Sequence, residues 1–293
     1  MKKNKRAEKN SGQNRYNFAF LDENAKREIR RKTLKAIAIP GYQVPFGSRE
    51  MPIARGWGTG GLQVTLSVIG KKDVLKVIDQ GSDDSVNAVN IKRFIKKVTD
   101  VEITNDSLRA TLIQTRHRIP EIPLTQEQII IFQVPFPEPL RTVEPSEAET
   151  RRMHAEADYS RMWLYLYEDI VKCGEISIGA RYPVYVNNRY IMDPSPIPRW
   201  DIEKLDNSEC LNLFCAGREK RIYAIPPHTS VKPLEFEDFK FRVENFEGKK
   251  CEICGCESSF LDEVMDGSTG ARRYFCSDSD YCEKQTARKG NKQ

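Results

Sequence analysis

The sequence predicts a mixed α/β protein: a central mixed sheet with flanking helices, an inserted helix and hairpin segment, and a small C-terminal cysteine-rich metal-binding module. Three observations lead there. Apolar residues recur at helical spacing in some stretches and as short buried runs in others, so helices and strands interleave. A proline-bounded stretch with its own helix and hairpin interrupts that alternation. Five of the eight cysteines crowd into the last part of the 293-residue chain.

From Leu21 the sequence reads as a helix, with Asp22 as N-cap and Ala25, Ile29, Thr33, Ala36 and Ile37 on one face; Pro40 stops it. Ile39 to Gly47 is a loop stiffened by its prolines and softened at Gly41 and Gly47. Gly56 to Gly61 is expected to form a tight turn before a half-buried strand, because Leu62, Val64, Leu66 and Val68 alternate with Gln63, Thr65 and Ser67. Glycines ahead of a strand do not make a dinucleotide fingerprint, although their bare amides could line an anion pocket. Asp83 to Val98 is expected as a helix, and Ala110 to Thr115 and Gln128 to Val134 as strands. The second strand is buried, since Ile129 to Phe132 run together.

Pro135, Pro137 and Pro139 form a stiff exit, and Ser146 with Glu149 makes a capping box that opens one long helix ending near Cys173 and Gly174. Tyr182 to Met192 reads as a hairpin turned at Asn187 and Asn188, and a proline-rich loop from Asp193 to Pro198 follows. Gly217 to Arg221 leads into a strand over Ile222 to Ile225, and an acidic stretch from Leu234 to Phe246 delivers the chain to the cysteines. The expected divisions are a disordered basic tail over 1–15, a core in two parts over 16–144 and 201–246, an insertion over 145–200, and the module over 247–293.

The composition, 39% hydrophobic and 30% charged, suits a sizeable core. No apolar run approaches the roughly 20 residues of a membrane span, and no apolar run follows the basic start as a secretory signal requires, so a cytoplasmic protein is expected. The net charge of +5 sits in the tail, where Lys2, Lys3, Lys5, Arg6, Lys9 and Arg15 face only Glu8. The rest of the chain is therefore balanced, which argues against a nucleic-acid partner.

In a reducing compartment the cysteines point to metal or redox chemistry. Cys251 and Cys254 share one turn, and Cys276 and Cys282 can meet them after a hairpin around Asp266 to Gly270. Structural zinc would use all four sulfurs; an iron-sulfur cluster is the alternative, and with five residues between Cys276 and Cys282 the last thiol could lie free of the metal. Cys256 is either a substitute ligand or a bystander. Cys173, Cys210 and Cys215 are expected as small buried hydrophobes. Arg116, His117 and Arg118 at a strand end are the candidate phosphate-binding cations, with Gln133 at the next strand end and Arg218 or Arg221 further on.

Several long words resemble the PhnJ family, the radical S-adenosylmethionine subunit of carbon-phosphorus lyase core complexes. They are Tyr16 to Glu23, Ala38 to Gly47, Asp73 to Gly81, Gln114 to Pro120 and Cys276 to Cys282. Only the basic extension and Cys256 look unusual. The resemblance implies a [4Fe-4S] cluster on Cys251, Cys254 and Cys276 with one iron open to S-adenosylmethionine, which splits to methionine and a 5'-deoxyadenosyl radical. It implies that Gly41 becomes a glycyl radical and that Cys282 becomes a thiyl radical that attacks phosphorus.

The substrate so implied is alpha-D-ribose 1-methylphosphonate 5-phosphate, cleaved to the 1,2-cyclic phosphate 5-phosphate and methane, with Arg116, His117 and Gln133 binding it. A radical route avoids expelling a methyl carbanion, which acid-base chemistry would require. Cys282 as a possible fourth metal ligand would be the inactive form, with zinc replacing the cluster in aerobic preparations, and His117 is also a candidate metal ligand at a subunit interface. The resemblance further implies partnership with other lyase core subunits and an ABC-type ATPase. The alternatives from the residues alone are a zinc-ribbon nucleic-acid-binding protein and a noncatalytic zinc-bearing scaffold subunit.

Overall fold

A computed structural model gives the fold and describes residues 21–47, 59–135, 138–178, 181–244 and 246–291. The basic tail, the first five residues of the Tyr16 word, and Gly56, Trp57 and Gly58 lie outside these. Asp22 caps α1 (Glu23–Ala38) as expected: its carboxylate accepts from the Ala25 amide at 2.8 Å, and Ile29, Thr33 and Ala36 are buried. The loop that follows carries the short edge strand β1 (Val44–Pro45).

The expected strand over residues 62–68 is instead the helix α2 (Thr59–Val68). It is covered on every side. Leu62, Val64 and Leu66 are buried, and so are Gln63, Thr65 and Ser67, whose alternation therefore marks no solvent face. The two hydroxyls are satisfied locally, Thr65 donating to the Gly61 carbonyl and Ser67 to that of Gln63, the back-bond a helix offers four residues earlier. The glycines thus open a helix packed on the sheet, and a Cβ on Gly60 would lie 2.7 Å from the Ala216 carbonyl carbon.

Next come β2 (Val74–Ile78), α3 (Val86–Val98) capped by Ser85, β3 (Glu102–Ile103), β4 (Leu112–Thr115) and β5 (Ile129–Val134). The single long helix expected after Ser146 is two: α4 (Glu147–Glu156) and α5 (Ser160–Cys173), parted at Ala157, whose φ of 55° turns the chain left-handed. The hairpin expected at Tyr182 to Met192 is β6 (Val184–Val186) and β7 (Tyr190–Met192), with Asn187 and Asn188 both at φ 51°. Then follow β8 (Leu211–Ala216), β9 (Arg221–Ile225) and β10 (Val231–Pro233), which returns to pair with β6. The C-terminal part holds β11 (Leu261–Met265), β12 (Arg272–Cys276) and α6 (Ser279–Gly290). Among the described residues, no helix is long and apolar enough to cross a membrane.

The main sheet has the order β1-β9-β8-β5-β4-β2-β3. β3, β2, β4, β5 and β8 run parallel, and β9 and β1 close the edge antiparallel. Side chains alternate between its faces, so each central strand feeds two cores. Ile131, Leu213 and Leu112 join α1, α2 and α3 on one side. Phe132, Phe214 and Ile113 join α4, α5 and the β6–β7 hairpin on the other. Phe132, Phe214 and Tyr223 stack along that face with ring centroids 4.5 and 4.9 Å apart. Cys210 and Cys215 are buried as expected; Cys173 is exposed, because it ends α5 on the solvent side.

After β2 the chain crosses through α3 to β3, then returns past β2 to β4. The carboxyl ends of β2 and β4 therefore flank the point where the winding reverses, which is where open α/β sheets form ligand crevices.

Candidate metal centre and active-site crevice

The turn from Cys251 to Gly255 is closed by the Gly255 amide on the Cys251 carbonyl at 2.7 Å. β11 and β12 form the expected hairpin, turned by the Asp266 carboxylate on the Ser268 and Thr269 amides, and bring Cys276 back to it. Asp278 caps α6 and sets Cys282 in its first turn. The four sulfurs of Cys251, Cys254, Cys276 and Cys282 all lie within 4.8 Å of one another. Cys251 is 3.6 Å from Cys282, and Cys254 is 3.4 Å from Cys276. Cys256 stands outside the four, its sulfur 3.5 Å from the Tyr281 hydroxyl.

Metal-free, these thiols do not behave alike. Burial disfavours a thiolate at Cys251, but the Cys254, Cys276 and Ile253 amides outweigh it and bring that thiol down to about 6. Burial, then the neighbouring sulfurs of Cys251 and Cys254, push Cys282 up to about 12. Cys276 is pushed up as well, mainly by burial. One negative charge is tolerated and further ones are repelled, so a cation is needed to hold several thiolates at this spacing. The donor set suits zinc or iron. A single tetrahedral ion, with metal–sulfur bonds of about 2.3 Å, sets its ligands roughly 3.8 Å apart, which matches the spacing found. A four-iron cluster on three of the sulfurs needs them further apart, and Cys282 released.

The module is seated on the switch-point crevice. The Asp280 carboxylate accepts from the Ser107 amide at 3.0 Å, and that of Asp278 from the Glu121 amide at 2.7 Å. The Ser279 amide donates to the Gly81 carbonyl at 3.2 Å. Gly81 (φ +80°) is approached so closely that a Cβ would fall 1.8 Å from the Ser277 carbonyl oxygen. Lys76, fully buried in β2, pairs with Asp83 at 2.6 Å and lies 3.8 Å from Asp280.

In the crevice, Arg116 and His117 converge on Asp79 at the end of β2: Arg116 Nε at 2.9 Å and His117 Nδ1 at 3.0 Å. Burial opposes ionisation of Asp79, but its bonds to His117 and Asn87 and the Arg116 charge outweigh this and hold the carboxyl below its usual range. His117 is left with Nε2 as its open ring nitrogen. Gln133, whose side-chain oxygen accepts from the Gly61 amide at 2.6 Å, lines a small cavity together with Asp79 and Arg116. His117 lines a larger one of about 1120 Å³ between the body and the module, shared with Ser277 and Asp262.

Arg118, a candidate cation in the sequence, is buried and committed to Asp201 at 2.8 Å and Glu121 at 2.5 Å. Gly41 has φ +79° and lines a different cavity, to which none of the four clustered cysteines contributes. Asp79 and the two docking carboxylates escaped sequence reasoning. The one available signal was an acidic residue directly after a buried strand run.

A model of the family described as "Phosphonate metabolism protein PhnJ" matches residues 14–288. The chain is 60% identical over 274 residues to the alpha-D-ribose 1-methylphosphonate 5-phosphate C-P lyase of Escherichia coli (strain K12), covering 94% of this chain and 97% of that one. It is 58% identical over 272 residues to the alpha-D-ribose 1-methylphosphonate 5-phosphate C-P-lyase of Rhizobium meliloti (strain 1021), covering 93% and 91%. With nearly its whole length matched, the chain belongs to the PhnJ family of phosphonate metabolism proteins.

Proposed function

We propose that the protein is a carbon-phosphorus lyase that converts alpha-D-ribose 1-methylphosphonate 5-phosphate to alpha-D-ribose 1,2-cyclic phosphate 5-phosphate and methane, in the cytoplasm, by a radical route. It works within a hetero-oligomer of other lyase core subunits and an ABC-type ATPase. A [4Fe-4S] cluster on Cys251, Cys254 and Cys276, together with S-adenosylmethionine, would supply the initiating radical.

The chain's own residues then have distinct tasks. Gly41 gives up an α-hydrogen: with no side chain, its carbon can flatten between two amides. Cys282, outside the three-sulfur set, has the hydrogen atom of its S–H to lose. The glycyl centre takes that hydrogen atom from Cys282, the resulting sulfur radical attacks phosphorus, and the methyl group leaves as a radical that takes the α-hydrogen of Gly41 to form methane and restore the glycyl radical. The sulfur then holds the phosphoryl group until the ribose 2-hydroxyl displaces it, which closes the cyclic phosphate and frees the thiol. Arg116 holds the phosphonate oxygens, Gln133 the sugar, and the His117 Nε2 can accept the proton of the attacking hydroxyl.

The observation that carries this reading is the placement of the Cys276 to Cys282 loop against the strand ends that bear Arg116 and His117. In the complex assembled with its companions, Cys282→Ala is expected to retain cofactor cleavage, measured as 5'-deoxyadenosine, and to form no methane. Methane from that variant removes Cys282 from the mechanism. The close spacing of the four sulfurs favours one second reading, a noncatalytic subunit with structural zinc. Anaerobic iron and sulfide analysis of the assembled complex separates the two.

A further inference from the structure

Gly41 lines a cavity to which none of the four clustered cysteines contributes, so the proposed transfer of hydrogen between Gly41 and Cys282 needs the module to leave its seat. The seat is built to let it go. Across the seam runs a chain of alternating charges, Lys92, Asp83, Lys76, Asp280, Lys284 and Asp106, of which α6 supplies Asp280 and Lys284. Each side sums to zero on its own: Lys76 and Lys92 against Asp83 and Asp106 in the body, Lys284 against Asp280 in α6.

The stronger bonds stay within each side. Lys76, fully buried, holds Asp83 at 2.6 Å and also donates to the Asn105 carbonyl, whereas Asp280 is 3.8 Å away. Lys92 donates to the Asp83 carbonyl and to the Asn105 side chain, both at 2.7 Å. Asp280 lies 3.0 Å from Lys284, one turn further along α6. Pulling the two sides apart breaks the Lys284–Asp106 pair and the amide bonds to Asp280, Asp278 and the Gly81 carbonyl, groups that water can then satisfy. It leaves no buried charge without its partner, which is the costly outcome when ion pairs are parted.

The apolar clusters of the body do not extend into the module. A cavity of about 1120 Å³ lies between the two, and beside it Phe260 of the module stacks on Trp200 of the body at 3.5 Å. Among the described residues, no helix or strand lies between Pro233 and Leu261. Gly248 in that stretch has φ +73° with open space around it, so the connection can swing.

We infer that α6 is a reversible latch: Asp280 docks as a second, weaker partner beside a Lys76–Asp83 pair that is complete without it, so the cysteine module detaches from the sheet without unfolding it. The latch stands on these ion pairs; only its use, carrying Cys282 towards Gly41, rests on the reaction proposed above.

The test is amide hydrogen exchange of the full-length, zinc-loaded protein. In the wild type the Ser107, Glu121 and Ser279 amides, which close the seam, should exchange roughly 100-fold faster than the amides of β5 while zinc stays bound. Equal rates at both places overturn the inference. Asp83→Asn leaves the body with one surplus cation, and Lys76 then turns to Asp280: seam exchange should slow by about 10-fold, the scale of one charge-assisted bond. A merely structural Asp83 predicts faster exchange instead, and either that or an unchanged rate overturns the latch.

Should Asp83→Asn fail to fold, Lys76→Met combined with Asp83→Leu decides, because it removes a neutral pair whole. Seam exchange within about threefold of the wild type is then expected, and a rise of roughly 10-fold overturns the inference. An assembled wild-type complex that forms no methane sinks the proposed reaction, and the exchange rates still decide the latch.

Discussion

The central sheet and the cysteine module bury their interiors by different means. The sheet lies between two apolar cores, and its strand side chains alternate between them, so its stability is distributed over many contacts. The core of the module is three sulfurs and Leu261, with two further sulfurs, Cys256 and Cys276, and the partly covered Phe246 and Tyr274 around them. Apolar burial of that size cannot order some forty residues, because fixing each backbone residue costs about 1–2 kcal/mol. The module therefore needs the body it sits on and a cross-link such as the metal its four sulfurs could hold. The same chain thus joins a self-sufficient scaffold to a conditional one, and the conditional part carries the proposed reacting thiol.

Metal removal breaks the comparison most sharply. For protein whose cysteine cluster holds a metal, a chelator strong enough to remove it should cost the module roughly 10 kcal/mol, the scale of structural zinc sites, and so unfold it. Hydrogen exchange should then become fast over residues 251–282 while β4, β5 and β8 stay protected. Loss of protection across the sheet as well would mean that the two regions are one cooperative unit.

The opposite perturbation is Phe132→Ala. Its ring is fully buried and stacked on Phe214, so the cavity left should cost about 3–5 kcal/mol of global stability by denaturant melt. The metal content of the folded fraction should not change.

The two regions should also answer pH with opposite sign. Burial raises the Asp193 carboxyl in the body to about 7. The fold therefore binds a proton that the unfolded chain has released between about pH 4 and 7, so stability falls as pH rises through that window and levels off above it. Asp193→Asn should remove this slope and stabilise the body at pH 8 by about 1–3 kcal/mol. The module gains metal affinity as pH rises, since its thiols must lose protons to bind. Melts of the variant that keep the wild-type slope would dismiss Asp193 as its source.

How much of this was legible in the sequence follows from where each signal resides. The β5 run from Ile129 to Phe132 and the cap at Asp22 are local in sequence and came out as read. The four sulfurs were legible too, because a two-residue spacing and a hairpin constrain each other. The α2 error had a physical source: period-2 alternation implies a strand only where one face meets water, and α2 meets none. The break at Ala157 carries no glycine or proline to announce it. Arg118 looked like its two neighbours and is instead spent on Asp201, 83 residues away. Asp79 and the docking aspartates are likewise made by separations that no local window spans.

The smallest effect tests the seam itself. One carboxylate, Asp278, does two things: Oδ1 caps α6 on the Tyr281 amide at 3.0 Å, and Oδ2 accepts from the Glu121 amide of the body at 2.7 Å. Asparagine caps a helix about as well as aspartate, so Asp278→Asn should leave α6 and the metal intact. It has only one side-chain oxygen, however, and its NH₂ cannot accept from Glu121. The lost bond should cost about 1 kcal/mol, or roughly fivefold faster exchange at the Glu121 and Ser279 amides. If the metal leaves together with that bond, docking and metal binding are one event, and the released thiol that the proposed reaction needs cannot come from undocking alone.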